Sequence, residues 1–257
     1  MVVMGQGQLE GLLLAGKPVE HADLSDIDWT DLPDGALVAR HCVFRHCGLV
    51  DAELTGARFE NCTFERVRFA GANLTDAVFS GCTFFDGEAR EGCDFGCADL
   101  DGATFENCNL AMARFGLAGL FGTSFTRCKA AGADFEDARF SKQASSRLAV
   151  SRVTFVSTLL DMASLRGGRL DDCTFAECSL RQADLRQVSL GGADLRGSDL
   201  SEANLNGAIL DNADLRDCTL FGVDVTQMAG FAGMKVSEDQ LADLVRPLGI
   251  RPFPRSR

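Results

Sequence analysis

Eleven cysteines and three histidines are the residues of this 257-residue chain whose types most readily do chemistry. At suitable spacing, thiols and imidazoles bind zinc, form disulfides or act as nucleophile and base. Ten of the cysteines, at 42, 47, 62, 82, 93, 108, 128, 173, 178 and 218, instead share one place in a five-residue rhythm, two residues before its repeat centre, which is usually a large apolar residue. Alanine is the usual occupant of that place, so they read as small buried apolar groups, reduced in a cytoplasmic protein. Only Cys97 falls elsewhere, at an expected corner, and no paired C-x-x-C knuckle argues for a metal. His21, His41 and His46 cluster near the start, but the neighbouring Cys42 and Cys47 are expected to point inward, away from a shared metal. No GxGxxG, P-loop or supported Ser/His/Asp grouping occurs, and the outward aspartates are too numerous and uniform to nominate an acid and a base. The chain is therefore expected to have no catalytic residues, no metal and no cofactor.

That rhythm must position everything else. From Phe95 to Val225 a large apolar residue returns at every fifth position almost without exception, most clearly at Leu185, Leu190, Leu195, Leu200, Leu205, Leu210, Leu215 and Leu220. Neither the 3.6-residue period of a helix nor the period of 2 of a strand holds such a series on one face. A short extended side followed by a corner does, with the centre residue and the small residue two before it pointing inward. Four such units make a square coil, and coils stack at about 4.8 Å through backbone hydrogen bonds. The expected fold is an all-β solenoid ending in a short C-terminal α-helix.

Fourteen of the 19 phenylalanines are centres, from Phe44 to Phe175, so stacked rings should make the first part wide and stiff. Residues 1 to 20 do not repeat and form either a cap over the first coil, through Leu9, Leu12, Leu13 and Leu14, or a loose segment. Residues 21 to 226 form the rod, with first repeats at Leu24 and Trp29, a turn-like break through Asp31, Pro33, Asp34 and Gly35, and regular coils again by Phe44. Residues 227 to 257 form a connector and a helix, with Ser237 and Gln240 as a capping box and Leu241, Leu244, Val245 and Leu248 on one face. That apolar face suits both the last coil and a two-fold partner. No run is long and apolar enough for a membrane span, and the start lacks the basic segment and long apolar core of a signal peptide, so neither membrane insertion nor secretion is expected.

Two interruptions stand out. The centres Phe84 and Phe95 stand one residue further apart than two units require, which reads as a one-residue insertion bulging at residues 85 to 92. Around 141 to 152 the frame survives but the consensus dissolves into Lys142, Gln143, Ser145, Ser146 and Arg147, as if two units had become a projecting loop. Lys142, Arg147 and Arg152 make this a local positive patch on a chain of net charge −12. So acidic a surface disfavours free nucleic acid and favours basic partners. Positions four units apart should stack, aligning Asp194 with Asp214, and Asp184 with Asp224 across Asn204. On a long rod, regularly placed carboxylates imitate the phosphate line of a duplex.

The consensus Ala-Asp/Asn-Leu-X-X, met at Ala98-Asp99-Leu100, Ala193-Asp194-Leu195 and Ala203-Asn204-Leu205, resembles that of the pentapeptide-repeat family. The resemblance implies a right-handed quadrilateral β-helix. Within that family it becomes closer to the Qnr group of quinolone-resistance proteins, over GCTFFDGEAREGCDFGCADLDGATFENCNLAMARF and TRCKAAGADFEDARF between Gly81 and Phe140. Members interrupt an early coil with a small loop and a later one with a larger loop, then end in a dimerising helix. What the likeness implies is a non-catalytic DNA mimic that binds DNA gyrase or topoisomerase IV and protects it from a quinolone or a natural-product poison, the latter as producer self-immunity. By position, Phe85, Asp86, Glu88 and Arg90 would form one contact loop and Lys142, Gln143, Arg147 and Arg152 the other. Asp184, Asp194, Asp214 and Asp224 would set the DNA-like field, and Leu241, Leu244, Val245 and Leu248 would hold a homodimer. Several coils precede the small loop, and residues 1 to 20 have no counterpart in the group. The alternative expectation is a binding or structural scaffold for an unrelated protein partner.

Overall fold

Nearly every described five-residue unit turns a corner, and the residue two after its centre makes the turn. In the computed structural model, which describes residues 1–29, 37–145 and 148–251, that residue lies at positive φ: 51° at Asn61, 72° at Gly71, 57° at Asp76 and 61° at Leu117. Gly, Asn and Asp reach this region most easily, and other side chains cost about 1 kcal/mol there. The cost is offset by hydrogen bonds, for example Ala72 N–H to Phe69 O at 2.9 Å within a turn and Asn61 N–H to Ser80 O at 2.8 Å between coils.

The result is a four-sided parallel β-solenoid. On the first face, strands pair in register so that Ala39, Phe59 and Phe79 align, followed by Phe105, Phe125, Phe155 and Phe175. The second face carries Phe64, Phe84 and Leu110, the third Phe69, Phe95 and Phe115, the fourth Leu74, Leu100, Leu120 and Phe140. All these centres are buried. Rings stack along each column, 4.8 Å apart between Phe79 and Phe105 and 5.0 Å between Phe105 and Phe125. Between faces they meet edge-on, as Phe95 and Phe105 do at 88°.

The buried cysteines do more than fill space. Sγ of Cys62, Cys82, Cys108, Cys128 and Cys178 points at the carbonyl of Ala39, Phe59, Phe79, Phe105 and Phe155 in the coil before, at 3.3 to 3.4 Å. Thr158 and Ser198 occupy the same column and show what the position requires. Thr158 Oγ1 donates toward Phe125 O at 3.1 Å and accepts from Cys128 N–H at 3.3 Å, while Ser198 Oγ donates to Phe175 O and accepts from Cys178 N–H. Each side chain thus bridges the open turn of its neighbour, a hydrogen-bonding role that small size alone does not reveal. Thr158→Val, with the same shape and no hydroxyl, is expected to cost about 1–3 kcal/mol in chemical denaturation, whereas Cys128→Ser is expected to be tolerated.

Both interruptions take a definite form. Phe59 pairs with Phe79, four regular units on, but Phe79 pairs with Phe105, which lies six residues beyond the next four units. Phe84 to Phe95 is therefore one unit with six extra residues; the one-residue insertion expected at residues 85 to 92 is corrected by this register. Phe125 pairs with Phe155, four units and ten residues on. The extra length is taken up in an antiparallel hairpin of Ser141–Ser145 with Leu148–Ser151. The first excursion leaves the corner between the second and third faces, and the hairpin leaves the opposite corner, between the fourth and first.

The ends are closed by short helices. Val2–Val3 pairs with Ala22–Asp23, and helix α1 (Gln6–Leu14) buries Leu9 against the first coil. Coils begin at Val19, which pairs with Ala39, one unit before the first repeat expected at Leu24. The break expected through Asp31, Pro33, Asp34 and Gly35 lies outside the described residues. At the other end a 3-10 turn, Glu238–Gln240, leads into α2 (Leu241–Val245). Ser237 N–H donates to Gln240 Oε1, and buried Gln240 Nε2 donates to Leu215 O at 2.8 Å and Cys218 O at 2.6 Å, clamping the cap to the last coils. No helix among the described residues is long and apolar enough to cross a membrane.

Candidate interaction surface

Burial takes ten of the eleven thiols out of solvent, Cys97 being the exposed one. It pushes the Cys93 thiol up to about 12 and those of Cys47, Cys173, Cys178 and Cys218 up to about 11, where the reactive thiolate is scarce. His21 and His41 stack ring on ring at 5.0 Å, and His46 lies beside Arg66. Among the described residues no group of three His, Cys, Asp or Glu side chains is placed to hold a metal. What the rod presents is its surface.

The small excursion is a tight antiparallel pair, Phe85–Asp86 with Glu91–Gly92. Asp86 organises it by accepting from the N–H groups of Glu88 at 2.9 Å and Ala89 at 3.1 Å, and by pairing with Arg66 at 3.1 Å. The Ala89 bond chiefly holds the Asp86 carboxyl below its usual range. Glu88 and Arg90 are exposed at the tip, and Phe85 is half-buried. Gly92 is required at the return: a Cβ there would lie 2.3 Å from the Met112 carbonyl carbon.

The hairpin is pinned as well. Lys142 forms an ion pair with Asp101 and sits 5.4 Å from the centroid of the Phe121 ring, and Asp101 raises its pKa. Lys142 is thus engaged inside the chain, where sequence alone presents it as a free outward cation. Gln143 lies in the strand opposite Ala149. Arg152, exposed, closes the hairpin base through its N–H to Phe140 O at 3.1 Å. Arg147 lies outside the described residues.

The acidic columns are also less bare than their spacing implies. Asp194 and Asp214 do stack, as do Asp184 and Asn204. Yet Asp184, Asp194 and Asp214 each hold a two-point fork from the arginine two residues on, Arg186, Arg196 and Arg216, at 2.5 to 2.9 Å. Residues two apart on an extended segment share a face, so Asp-x-Arg pairs along the chain before the columns count. The Arg forks hold all three carboxyls down, that of Asp214 to about 2. Asp224 accepts from the N–H and hydroxyl of Thr226 instead. Among the described residues Asp171, Asp172, Asp211 and Asp224 make no ion pair. Among the described residues Asp161, Glu177, Glu202 and Asp217 likewise make no ion pair, and these carboxylates together leave net negative charge on the C-terminal rod.

The Asp214 fork makes stability depend on acid. An unfolded aspartate titrates near about 3.9, so the stabilisation is complete above that value and is lost as pH falls toward the folded value of about 2. Thermal melts between pH 5 and pH 2 should show a smaller acid loss for Arg216→Gln than for the unaltered protein; equal losses would contradict the fork's role.

At the C-terminus the four apolar residues divide. Leu244, 7% exposed, joins the rod core, whereas Leu241 at 48% and Leu248 at 54% face outward and Val245 is half-buried. Leu244 is thus unavailable to a partner, because it covers the last coil. Phe221, Phe231 and Ile250 add exposed apolar area at the same end.

The fold and surface define a solenoid repeat protein whose coils carry two ordered excursions and a charged exterior. Family models described as pentapeptide repeats match residues 158–197 and 188–227, in one form, and 39–83 in another. No curated protein matches in sequence. Among solved structures, full-length QnrB1, described as a plasmid-mediated fluoroquinolone resistance protein, is 30% identical over 81% of this chain and 100% of its own, with a TM-score of 0.72. A trypsin-treated variant of it is 29% identical over 82% of this chain and 99% of its own, with a TM-score of 0.75. HetL, a pentapeptide repeat protein involved in heterocyst differentiation regulation in a Nostoc strain, is 22% identical over 97% of this chain and 100% of its own, with a TM-score of 0.47. The chain belongs to the pentapeptide-repeat family.

Proposed function

We propose that this protein is a non-catalytic, cytoplasmic, homodimeric DNA mimic that binds a type II topoisomerase, DNA gyrase or topoisomerase IV. It protects the enzyme from a quinolone or a natural-product poison, in the latter case as producer self-immunity. One observation carries this: the chain superimposes on the whole of QnrB1, a fluoroquinolone resistance protein, at about the same identity in two structures. The ordered excursions at residues 85 to 92 and 141 to 152 fit contacts with the enzyme. The DNA-like charge is carried by Asp171, Asp172, Asp211 and Asp224 more than by the Arg-forked Asp184, Asp194 and Asp214.

The homodimer forms through the outward side of the C-terminal cap, Leu241, Val245 and Leu248, while Leu244 anchors that cap to the rod. Leu241→Asp combined with Leu248→Asp is expected to halve the mass seen in light scattering without lowering the melting temperature by more than about 1–2 °C. An unchanged mass would contradict this interface.

The same Asp-x-Arg forks favour a second reading, a scaffold for an unrelated protein, because paired charges weaken a DNA-like field. Binding to purified gyrase and topoisomerase IV as a function of salt separates the two. A DNA mimic binds at low salt and weakens as salt screens its charge; absence of binding to both enzymes at low salt would leave the scaffold.

A further inference from the structure

The hairpin is fastened to the rod by a groove that is well built for a cation. The groove, about 220 Å³ in volume, lies on the fourth face between Asp99, Asp101, Gly119, Phe121 and Arg139, and Lys142 reaches into it. Its two carboxylates are fixed by main chain: Asp101 Oδ1 accepts from Phe121 N–H at 2.9 Å and Asp99 Oδ1 accepts from Asp101 N–H at 3.1 Å. The Asp101 side chain is only 14% exposed. Gly119 leaves the floor open, since a Cβ there would stand 3.3 Å from Asp101 Oδ1 and 3.4 Å from Asp99 Oδ1. An aromatic ring beside a part-buried carboxylate is what an ammonium or guanidinium seeks. Lys142 holds this seat with its side chain 59% exposed.

We propose that this groove is a receptor for an arginine side chain of a protein partner, and that Lys142 is its resident stand-in. Arginine fits better than the occupant: its planar group stacks on a ring and forks onto a carboxylate, whereas an ammonium is a point charge. Exposed ion pairs are weak, so an incoming guanidinium displaces Lys142. Displacement undoes the fastening on the Ser141–Ser145 strand and frees the hairpin to engage the same partner. The hairpin is thereby coupled to the first contact made on the rod. Nothing in this depends on the partner being a topoisomerase, and the test contains none.

The test uses the full chain, with N-acetylarginine amide as probe and amide NMR shifts as readout. Lys142→Ala removes the ammonium beside Asp101 and Phe121, while Arg139 stays in the groove lining. This variant is expected to bind the probe at low salt with shifts centred on the amides of Gly119 and Phe121, about fivefold or more tighter than the unaltered protein. Asp101→Asn keeps the oxygen that accepts from Phe121 N–H but removes the charge, so adding it to Lys142→Ala should abolish binding while the melting temperature holds. The neutral citrulline analogue should produce no shifts in either. Absence of Gly119 and Phe121 shifts in Lys142→Ala, equal binding by the double variant, or equal shifts with citrulline would each overturn the proposal.

Discussion

Deleting residues 142 to 151 is expected to leave the rod folded and to abolish protection of the topoisomerase. The structure explains the first half directly. Phe140 and Phe155 are successive centres, and the deletion joins Ser141 to Arg152, leaving four residues between them, as in every regular unit. Arg152 then occupies the corner, and its main chain already bonds to Phe140 and Gly122 there. Phe125 then stands four regular units from Phe155, the spacing that Phe59 and Phe79 show. The melting temperature should therefore stay within a few degrees. Protection should vanish because the hairpin is the largest departure from a uniform rod and the feature best placed to touch an enzyme subunit. Drug-induced cleavage in the presence of the deleted form, set beside its thermal melt, checks both halves. Full protection by a folded deletion variant would remove the hairpin from the mechanism.

Phe105→Ala is expected to give the largest loss of stability of any single change considered. Its ring is fully buried, stacked between Phe79 at 4.8 Å and Phe125 at 5.0 Å, with edge contacts to Phe84 at 5.9 Å and Phe95 at 6.0 Å. Truncation at such a site costs about 3–5 kcal/mol, and a solenoid has only nearest-neighbour interfaces through which to relax. Leu200→Ala, in the part of the rod with leucine centres, removes a smaller side chain and should cost about 2–4 kcal/mol. Denaturant melts rank the two, and hydrogen exchange should show the Phe105 defect concentrated in the adjacent coils. Equal losses, or a defect spread evenly along the rod, would mean that the ring column is not what stiffens the first part.

The solenoid is legible in the sequence because its period is long, strict and unlike that of a helix or strand. Positions four units apart do lie side by side, as Asp194 and Asp214 show. The step from Phe84 to Phe95 misleads for an arithmetical reason: it is two units with one residue over, and equally one unit with six over. Only the register against the next coil, Phe79 with Phe105, decides between them. The charges are legible in part, since the spacing sets Arg196 and Arg216 in a column beside Asp194 and Asp214; that each arginine forks onto the aspartate two residues before it is seen only in the structure. Lys142 reads as outward because the hairpin looks like a loop. Its seat is nonetheless present in the spacing, since Asp101, Phe121 and Ser141 follow one another at four-unit intervals. The bridging role of Cys62, Cys108 and Thr158 is not legible, because the open turns they span are a property of the backbone.

The central claim is tested most directly by the supercoiling activity of a purified type II topoisomerase, titrated with this protein with and without a cleavage-stabilising fluoroquinolone. Restored supercoiling and fewer cleaved complexes in the presence of drug, at protein concentrations that leave the drug-free reaction largely intact, are the predicted result. No effect on either DNA gyrase or topoisomerase IV, with the protein folded and dimeric, would contradict it.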